Sequence, residues 1–256
     1  MNLEKYQQYS RIARGLEKAD LVLKDARIVN VFTEEIIRGD IAIQDGIIAG
    51  IGSFHGKEER DLAGRYVCPG FIDSHLHLES TLVTPAELVT AASRHGTTTF
   101  IVDPHESANV SGLAGIDYIL DQTEDVKANV YVMMPSCVPA TAIDDNGCTL
   151  TAEDMVPYLH NSRILGLGEV MDSISVVQGE KSMHDKLELF EGRIRDGHAP
   201  FLEEGDLQAY AMAGIATDHE CSFFDYAMRE RRNGLTILVR EGSAARNLEA
   251  LVGGLV

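Results

Sequence analysis

The stretch Phe71-Ile72-Asp73-Ser74-His75-Leu76-His77-Leu78-Glu79-Ser80 decides how the rest of this sequence is interpreted. Pro69-Gly70 breaks the chain just before it, and its first two residues favour a strand. Side chains two positions apart along a strand point to the same face, so a strand here directs His75 and His77 the same way. Two neutral imidazoles placed in this manner can bind one metal ion.

The histidine pair alone also fits two surface residues on a turn, because this spacing occurs by chance. Its context favours metal binding, since acidic residues flank the pair at Asp73 and Glu79. An apolar strand that delivers polar groups at its carboxyl end is typical of active sites in parallel α/β barrels.

Composition limits the class of partner. The 256 residues suffice for one large domain or a medium and a small one, and the hydrophobic content of 45% provides a core. A net charge of -18 repels phosphates, which argues against nucleic acid or an anionic membrane as partner. A small neutral or cationic substrate fits this charge better.

Cysteine usage and the first residues suggest a cytoplasmic protein. The four cysteines are scattered without a CxxC pair, so we expect reduced thiols rather than disulfides or a thiolate zinc site. The first twenty residues mix charges and lack a signal peptide's apolar segment, and no apolar run is long enough to cross a bilayer.

The sequence has two regions with different patterns of helix and strand signals. Within residues 1–66 the sequence predicts an N-terminal helix over 4–18. It also predicts a small antiparallel, β-sandwich-type domain, because short β-rich runs alternate with turn signals such as Gln44-Asp45-Gly46. Residues 67–256 alternate strands and helices, which predicts a parallel sheet. We count about seven strands where a (β/α)8 TIM-type barrel has eight, so the predicted fold is α/β, an incomplete metal-dependent hydrolase barrel.

Helix starts are predicted where a hydroxyl residue precedes an acidic residue by three positions. This pattern begins at Thr84, with Pro85 as the first helical residue, and at Thr151, Ser182 and Ser222. A last helix is expected to begin at Ser243.

Polar residues follow the predicted strands: His75 and His77, then Asp103, His105 and Glu106, then Glu169, His198, and finally Asp218, His219 and Glu220. Any one histidine here could be a hydrogen-bonded core residue, but five at the strand ends of one barrel favour a metal site. Mixed imidazole and carboxylate sets suit Mn, Fe or Zn. Two metal ions need a bridging anion, and some barrels of this kind use a modified lysine on the fourth strand. No lysine occurs between Lys127 and Lys181 here, so Glu169 is the available bridge.

From about Ala19 onward the chain resembles the adenine deaminase family, in the urease-like branch of the amidohydrolase superfamily. The segments that carry the resemblance are PGFIDSHLHLES, GTTTFIVDPHESANVSG, PSCVPAT, LGLGEVMD, DGHAP, DLQAYAMAGIATDHE and LVREGSAARNLEAL. This sequence resembles the N-terminal portion of the proteins in that family.

The resemblance implies conversion of adenine to hypoxanthine and ammonia by a metal-activated hydroxide, in purine salvage. His75 and His77 would bind one manganese or iron ion, zinc being possible, Glu169 would bridge, and His198 and His219 would bind the other. Asp103, His105 and Glu106 would act in catalysis nearby. The alternatives are another cyclic amidohydrolase, acting on a hydantoin or dihydropyrimidine, and a non-catalytic metal-binding remnant.

Family members also continue past this sequence, with an eighth strand that ends in a metal-binding, proton-moving aspartate. We therefore expect the chain alone to be slow or inactive. Unpaired sheet edges would favour a homo-oligomer or a complementing C-terminal chain.

Overall fold

A computed structural model describes residues 1–141 and 143–253. The chain divides into two compact units, the first covering Met1–Gly70 and the second beginning at Phe71. The division falls at the Pro69-Gly70 break, four residues after the boundary that the sequence predicts.

The first unit is one five-stranded sheet with one helix. Helix α1 (Leu3–Ala13) is followed by β1 (Ala19–Asn30), β2 (Glu35–Gln44), β3 (Ile47–Gly52), β4 (Gly56–Asp61) and β5 (Tyr66–Val67). The strand order is β3-β2-β1-β4, and β5 also pairs with β1. Strands β4 and β5 run parallel to β1, so the prediction of an antiparallel sheet was wrong in this respect. The turn signals mark strand ends but do not determine the direction in which a later strand returns.

In the part of the second unit that the structure describes, seven parallel strands follow one another in chain order. They are β6 (Phe71–Leu76), β7 (Thr97–Val102), β8 (Asn129–Met134), β9 (Ile164–Val170), β10 (Ile194–Gly197), β11 (Thr217–Asp218) and β12 (Thr236–Ile237). Strands β6 to β10 form one sheet and β11 pairs with β12. The amide of Ala216 donates to the carbonyl of Arg195 at 2.9 Å, which places β11 beside β10. The arrangement is an incomplete TIM-type barrel, as predicted.

Helices follow most of these strands. They are α2 (Pro85–Ser93), α3 (His105–Ser111), α4 (Leu113–Gln122), α5 (Ala152–Met155), α6 (Ser173–Gln178), α7 (Lys181–Leu189), α8 (Glu204–Met212), α9 (Phe224–Arg232) and α10 (Leu248–Val252), with 3-10 turns at Glu79–Thr81 and Val156–His160. Within the described ranges, no helix has the length and apolar character that crossing a membrane requires.

The predicted helix starts were partly confirmed. Thr151 caps α5 through a reciprocal capping box with Asp154. Thr84 occupies the N-cap of α2, but its side chain makes no capping hydrogen bond. Ser182 lies inside α7, and Ser222 lies one residue before the N-cap of α9, so both of these predictions were wrong.

The prediction that a helix begins at Ser243 was also wrong. The Gly242 amide donates to the Ala245 carbonyl at 2.9 Å, and a bridge joins Glu241 to Arg246. These contacts form a closed turn, and α10 begins only at Leu248.

A continuous apolar core holds the carboxyl ends of the barrel strands in place. The strands contribute buried side chains such as Phe100, Val102 and Val132, and the helices contribute others, including Ile116 and Leu187. Near-continuous apolar runs are usual for parallel strands because both of their faces are buried. The polar residues that follow the strands therefore lie on a rigid support.

Candidate metal centre

Glu169, near the end of β9, is the centre of the site. Its side chain is 2% exposed. Oε1 lies 3.0 Å from His75 Nε2 and 2.9 Å from His77 Nε2. Oε2 lies 2.9 Å from His198 Nδ1 and 3.5 Å from His219 Nε2. Each carboxylate oxygen therefore faces one pair of imidazole nitrogens.

This arrangement fits bound metal. Glu169 Oε1 is buried and has no aligned hydrogen-bond donor among the described residues, although two imidazole nitrogens lie close to it. The Nε2 atoms of His75 and His77 are themselves only 3.2 Å apart. Two sets, Glu169 with His75 and His77 and Glu169 with His198 and His219, each bring three possible ligand atoms within 4.8 Å of one another. Such nitrogen and oxygen donors suit borderline divalent metals.

Asp103 holds the backbone of the central glutamate. It follows β7, is completely buried, and its Oδ2 accepts a hydrogen bond from the Glu169 amide at 2.7 Å. A Cβ at Gly168 would lie 2.2 Å from Asp103 Oδ2, so only glycine permits this close approach. The LGLGE segment thus positions Glu169 through a carboxylate from another strand.

The other two predicted catalytic residues differ in position. His105 begins α3, and its Nδ1 lies 3.5 Å from Asp103 Oδ1 and 3.8 Å from Glu169 Oε1. Glu106 is exposed and accepts a hydrogen bond from Ser80 Oγ at 2.5 Å, although it can still group with His77 and His105 around an ion. The structure therefore brings Asp103 and His105 into the Glu169 cluster and leaves Glu106 at its outer side.

Asp196 belongs to the cluster and was missed from the sequence. Its Oδ2 lies 3.1 Å from His75 Nδ1 and 4.0 Å from His219 Nδ1, and its Oδ1 accepts from Thr217 Oγ1. A carboxylate behind an imidazole fixes the ring's tautomer and orientation. The signal was present, because Asp196 precedes His198 by two residues, the spacing that singled out His75 and His77.

The electrostatics of the cluster favour added positive charge. Burial lowers the pKa of His75, but hydrogen bonds to Asp196 and Glu169 outweigh it and raise that pKa to about 10. Burial likewise opposes the effect of Glu169 on His77, whose pKa rises to about 9. Burial raises the pKa of Glu169, but the surrounding imidazoles outweigh it and lower that pKa. Protons and metal ions compete for such ligands, so metal binding here is coupled to proton release.

Known proteins match this chain along most of its length. The amidohydrolase family pattern matches residues 66–246. Adenine deaminase of Desulfitobacterium hafniense strain Y51 is 57% identical over 255 residues, which cover 100% of this chain and 45% of that protein. Adenine deaminase of Clostridium acetobutylicum is 49% identical over 245 residues, or 95% of this chain and 43% of that protein. The chain thus spans less than half the length of these curated relatives and matches their N-terminal portion.

Solved structures support the fold. The β-aspartyl dipeptidase of Fervidobacterium islandicum AW-1 is 13% identical, with a TM-score of 0.61 over 93% of this chain and 70% of that one. The atrazine chlorohydrolase TrzN of Arthrobacter aurescens TC1 is 14% identical, with a TM-score of 0.53 over 89% of this chain and 73% of that one. With a family pattern that matches most of its length, the chain belongs to the amidohydrolase family.

Proposed function

We propose that this chain carries the metal site of a hydrolytic adenine deaminase, which converts adenine to hypoxanthine and ammonia. The observation that carries the proposal is the placement of one buried carboxylate, Glu169, between two pairs of imidazoles. The adenine deaminases of D. hafniense and C. acetobutylicum match nearly the whole chain and support this choice of substrate.

The amidohydrolase family is metal-dependent, and the structure has histidine and carboxylate clusters that could bind metal. In this proposal His75 and His77 hold one ion, His198 and His219 hold the other, and Glu169 bridges them. Manganese or iron is proposed, with zinc as a possible substitute, because nitrogen and oxygen ligands accept all three. Bound ions would supply an activated water as the nucleophile at near-neutral pH.

The remaining residues are proposed to orient the substrate and move protons. His105 Nδ1 is buried and, in the described chain, has no hydrogen-bond partner. An imidazole at this position can take a proton from the attacking water and return it to the departing amino nitrogen. Asp103 would orient His105, and Glu106, which binds Ser80, would position the Glu79–Thr81 turn at the outer side of the site.

A role in cytoplasmic purine salvage follows from this chemistry and remains part of the proposal. Assembly as a homo-oligomer or with a complementing chain belongs to it as well. The outer edges of β6 and β12 support this assembly, since neither pairs with a further strand in the described part of the chain.

The test is conversion of adenine to hypoxanthine by the manganese-loaded protein, followed by ultraviolet absorbance, with metal content measured on the same sample. Conversion by a sample that holds about two ions per chain would support the proposal. Turnover of dihydrouracil or hydantoin instead of adenine would replace it with a cyclic amidohydrolase. Bound metal without turnover of either substrate, even with a complementing chain, would indicate a non-catalytic metal-binding protein.

A further inference from the structure

An ion pair at the edge of the metal centre has no role in the chemistry described so far. Arg240, in the segment after β12, places Nη1 at 2.6 Å from Glu220 Oε1. The side chains are 28% and 20% exposed, respectively, so both are largely shielded yet still accessible. The segment around Arg240 was expected only to lead into a helix at Ser243, and the sequence assigned no role to this arginine.

Glu220 connects this pair to the metal ligands. Its Oε1 lies 3.8 Å from His198 Nδ1 and 3.8 Å from His219 Nε2. The Glu220 amide donates to Asp218 Oδ2 at 2.8 Å, and Asp218 is completely buried. The carboxylate of Glu220 is therefore held beside the His198 and His219 side of the centre.

The guanidinium of Arg240 has donor capacity that the described protein atoms do not use. Its Nε is buried and makes no hydrogen bond in the described ranges. A guanidinium presents its donors in a fixed planar fork, which a lysine cannot reproduce. A donor group and an acceptor group thus lie side by side, next to His198 and His219.

Adenine has the complementary pattern. Its six-amino group is a donor, and the adjacent ring nitrogen N7 is an acceptor; N1, on the other side of the amino-bearing carbon, is also an acceptor. A carboxylate can accept from the amino group while a guanidinium donates to a ring nitrogen. Resting on the proposed function, we propose that Glu220 and Arg240 form the element of the site that recognises the amino group and one adjacent ring nitrogen of the purine.

The test measures ligand binding by calorimetry on the manganese-loaded protein rather than turnover. The ligands are adenine, 7-deazaadenine, 1-deazaadenine and unsubstituted purine. The wild-type protein is expected to bind adenine about 10-fold or more above at least one deaza analogue, the usual effect of a hydrogen bond to a charged group. Arg240→Met should abolish that preference, and Arg240→Lys should restore only part of it.

Glu220→Met, which removes the acceptor, should abolish the preference for adenine over unsubstituted purine. The matched control is Arg229→Met, which removes an arginine from an ion pair of 3.2 Å with Glu204. Arg229→Met should retain all of the wild-type preferences.

Three results would overturn the proposal. One is an Arg240→Met protein with normal metal content and unchanged preferences, because Arg240 would then only join two loops. Another is loss of metal from Arg240→Met, since the residue would then act on the centre itself. The third is a wild-type protein that binds neither purines nor cyclic amides.

Binding of dihydrouracil instead of adenine would refute adenine as the substrate and still test the pair. A cyclic amide also presents a donor beside an acceptor. In that case Glu220→Met should abolish the preference for dihydrouracil over its N-methyl derivative, because the carboxylate is the group that accepts from the ring N–H, and an unchanged preference would overturn the proposal.

Discussion

Glu169 illustrates how much of this site depends on one side chain. Its two oxygens each face two imidazole nitrogens at 2.9 to 3.5 Å, so the carboxylate joins four histidines that come from three strands. Without this negative charge the four imidazoles, of which His219 is buried and the other three partly buried, would lose their common anionic partner. The charge of the carboxylate, and not only its shape, should therefore determine metal binding.

We expect Glu169→Gln to weaken binding of manganese by more than about 100-fold, because loss of a group that merely orients a ligand already costs about 10- to 100-fold. The measurement is metal content after dialysis, together with calorimetric titration of the metal-free protein. Glu188→Gln, at an exposed position on α7, is the control and should bind metal like the wild type. A Glu169→Gln protein that retains both ions would exclude the proposed bridge.

A second buried carboxylate makes stability depend on pH. Glu230, on α9, is completely buried, its Oε2 contacts Cys221 Sγ, and its Oε1 has no hydrogen-bond partner among the described residues. Burial, with the nearby charge of Asp218, raises its pKa from an ordinary value of 4.5 to about 8. The folded state therefore binds this proton more tightly than the unfolded state.

The sign of the effect follows from that difference. The contribution of Glu230 to stability is complete below its ordinary pKa and is lost as the pH rises towards about 8. The free energy of unfolding should decrease over this range by at most about 1.4 kcal/mol per pH unit. Glu230→Gln should flatten the decrease, as measured by urea unfolding between pH 5 and 8. The exposed Glu249→Gln should retain the wild-type slope, and an equal slope in Glu230→Gln would contradict the assignment.

Among the elements, strands were easier to predict than helix starts. Thr97 to Val102 is a β-branched and apolar run, and it forms β7 because its local preference and its burial agree. A capping box needs a hydroxyl residue, an acidic residue three positions later, and a helix that begins directly after the hydroxyl residue. Ser182 already lies inside α7, and Asp185 pairs with Lys181 at 2.6 Å instead of capping the helix.

The two threonine caps provide a matched pair. Thr151 Oγ1 accepts from the Asp154 amide, whereas Thr84 has the same extended backbone and makes no capping bond. We expect Thr151→Ala to lower the free energy of unfolding by about 1 kcal/mol. Thr84→Ala should change it by less than about 0.5 kcal/mol, the usual range for surface positions. Both values follow from urea denaturation, and equal losses would show that the capping box does not stabilise α5.

For the whole molecule, the sequence was sufficient to predict which side chains meet where their meeting follows from strand order. His75, Glu169, His198 and His219 lie far apart in the chain and meet because the carboxyl ends of parallel strands share one face of the barrel. Two further contacts depend on side-chain directions. The spacing of Asp196 from His198 was a signal in the sequence, but the contact of Asp196 with His75 and that of Arg240 with Glu220 depend on how neighbouring strands pack.

The sheet edges lead to the last prediction. Within the described residues β6 pairs only with β7 and β12 only with β11, and Phe71 and Ile72 on β6 are 65% and 63% exposed. Unpaired edges with exposed apolar side chains favour pairing with another chain. The curated relatives are more than twice as long as the part that this chain matches, so their remaining part is the natural candidate for that pairing.

We therefore expect the 256-residue chain to associate with the remaining part of the D. hafniense relative when the two are produced together. The two pieces should elute together in size-exclusion chromatography, because strand pairing would cover both edges. Adenine deamination should rise by about 100-fold or more over the chain alone, the usual contribution of one acid–base group, here the eighth-strand aspartate that the family resemblance implies. Equal rates with and without the second piece would show instead that this chain completes its catalytic site with its own residues.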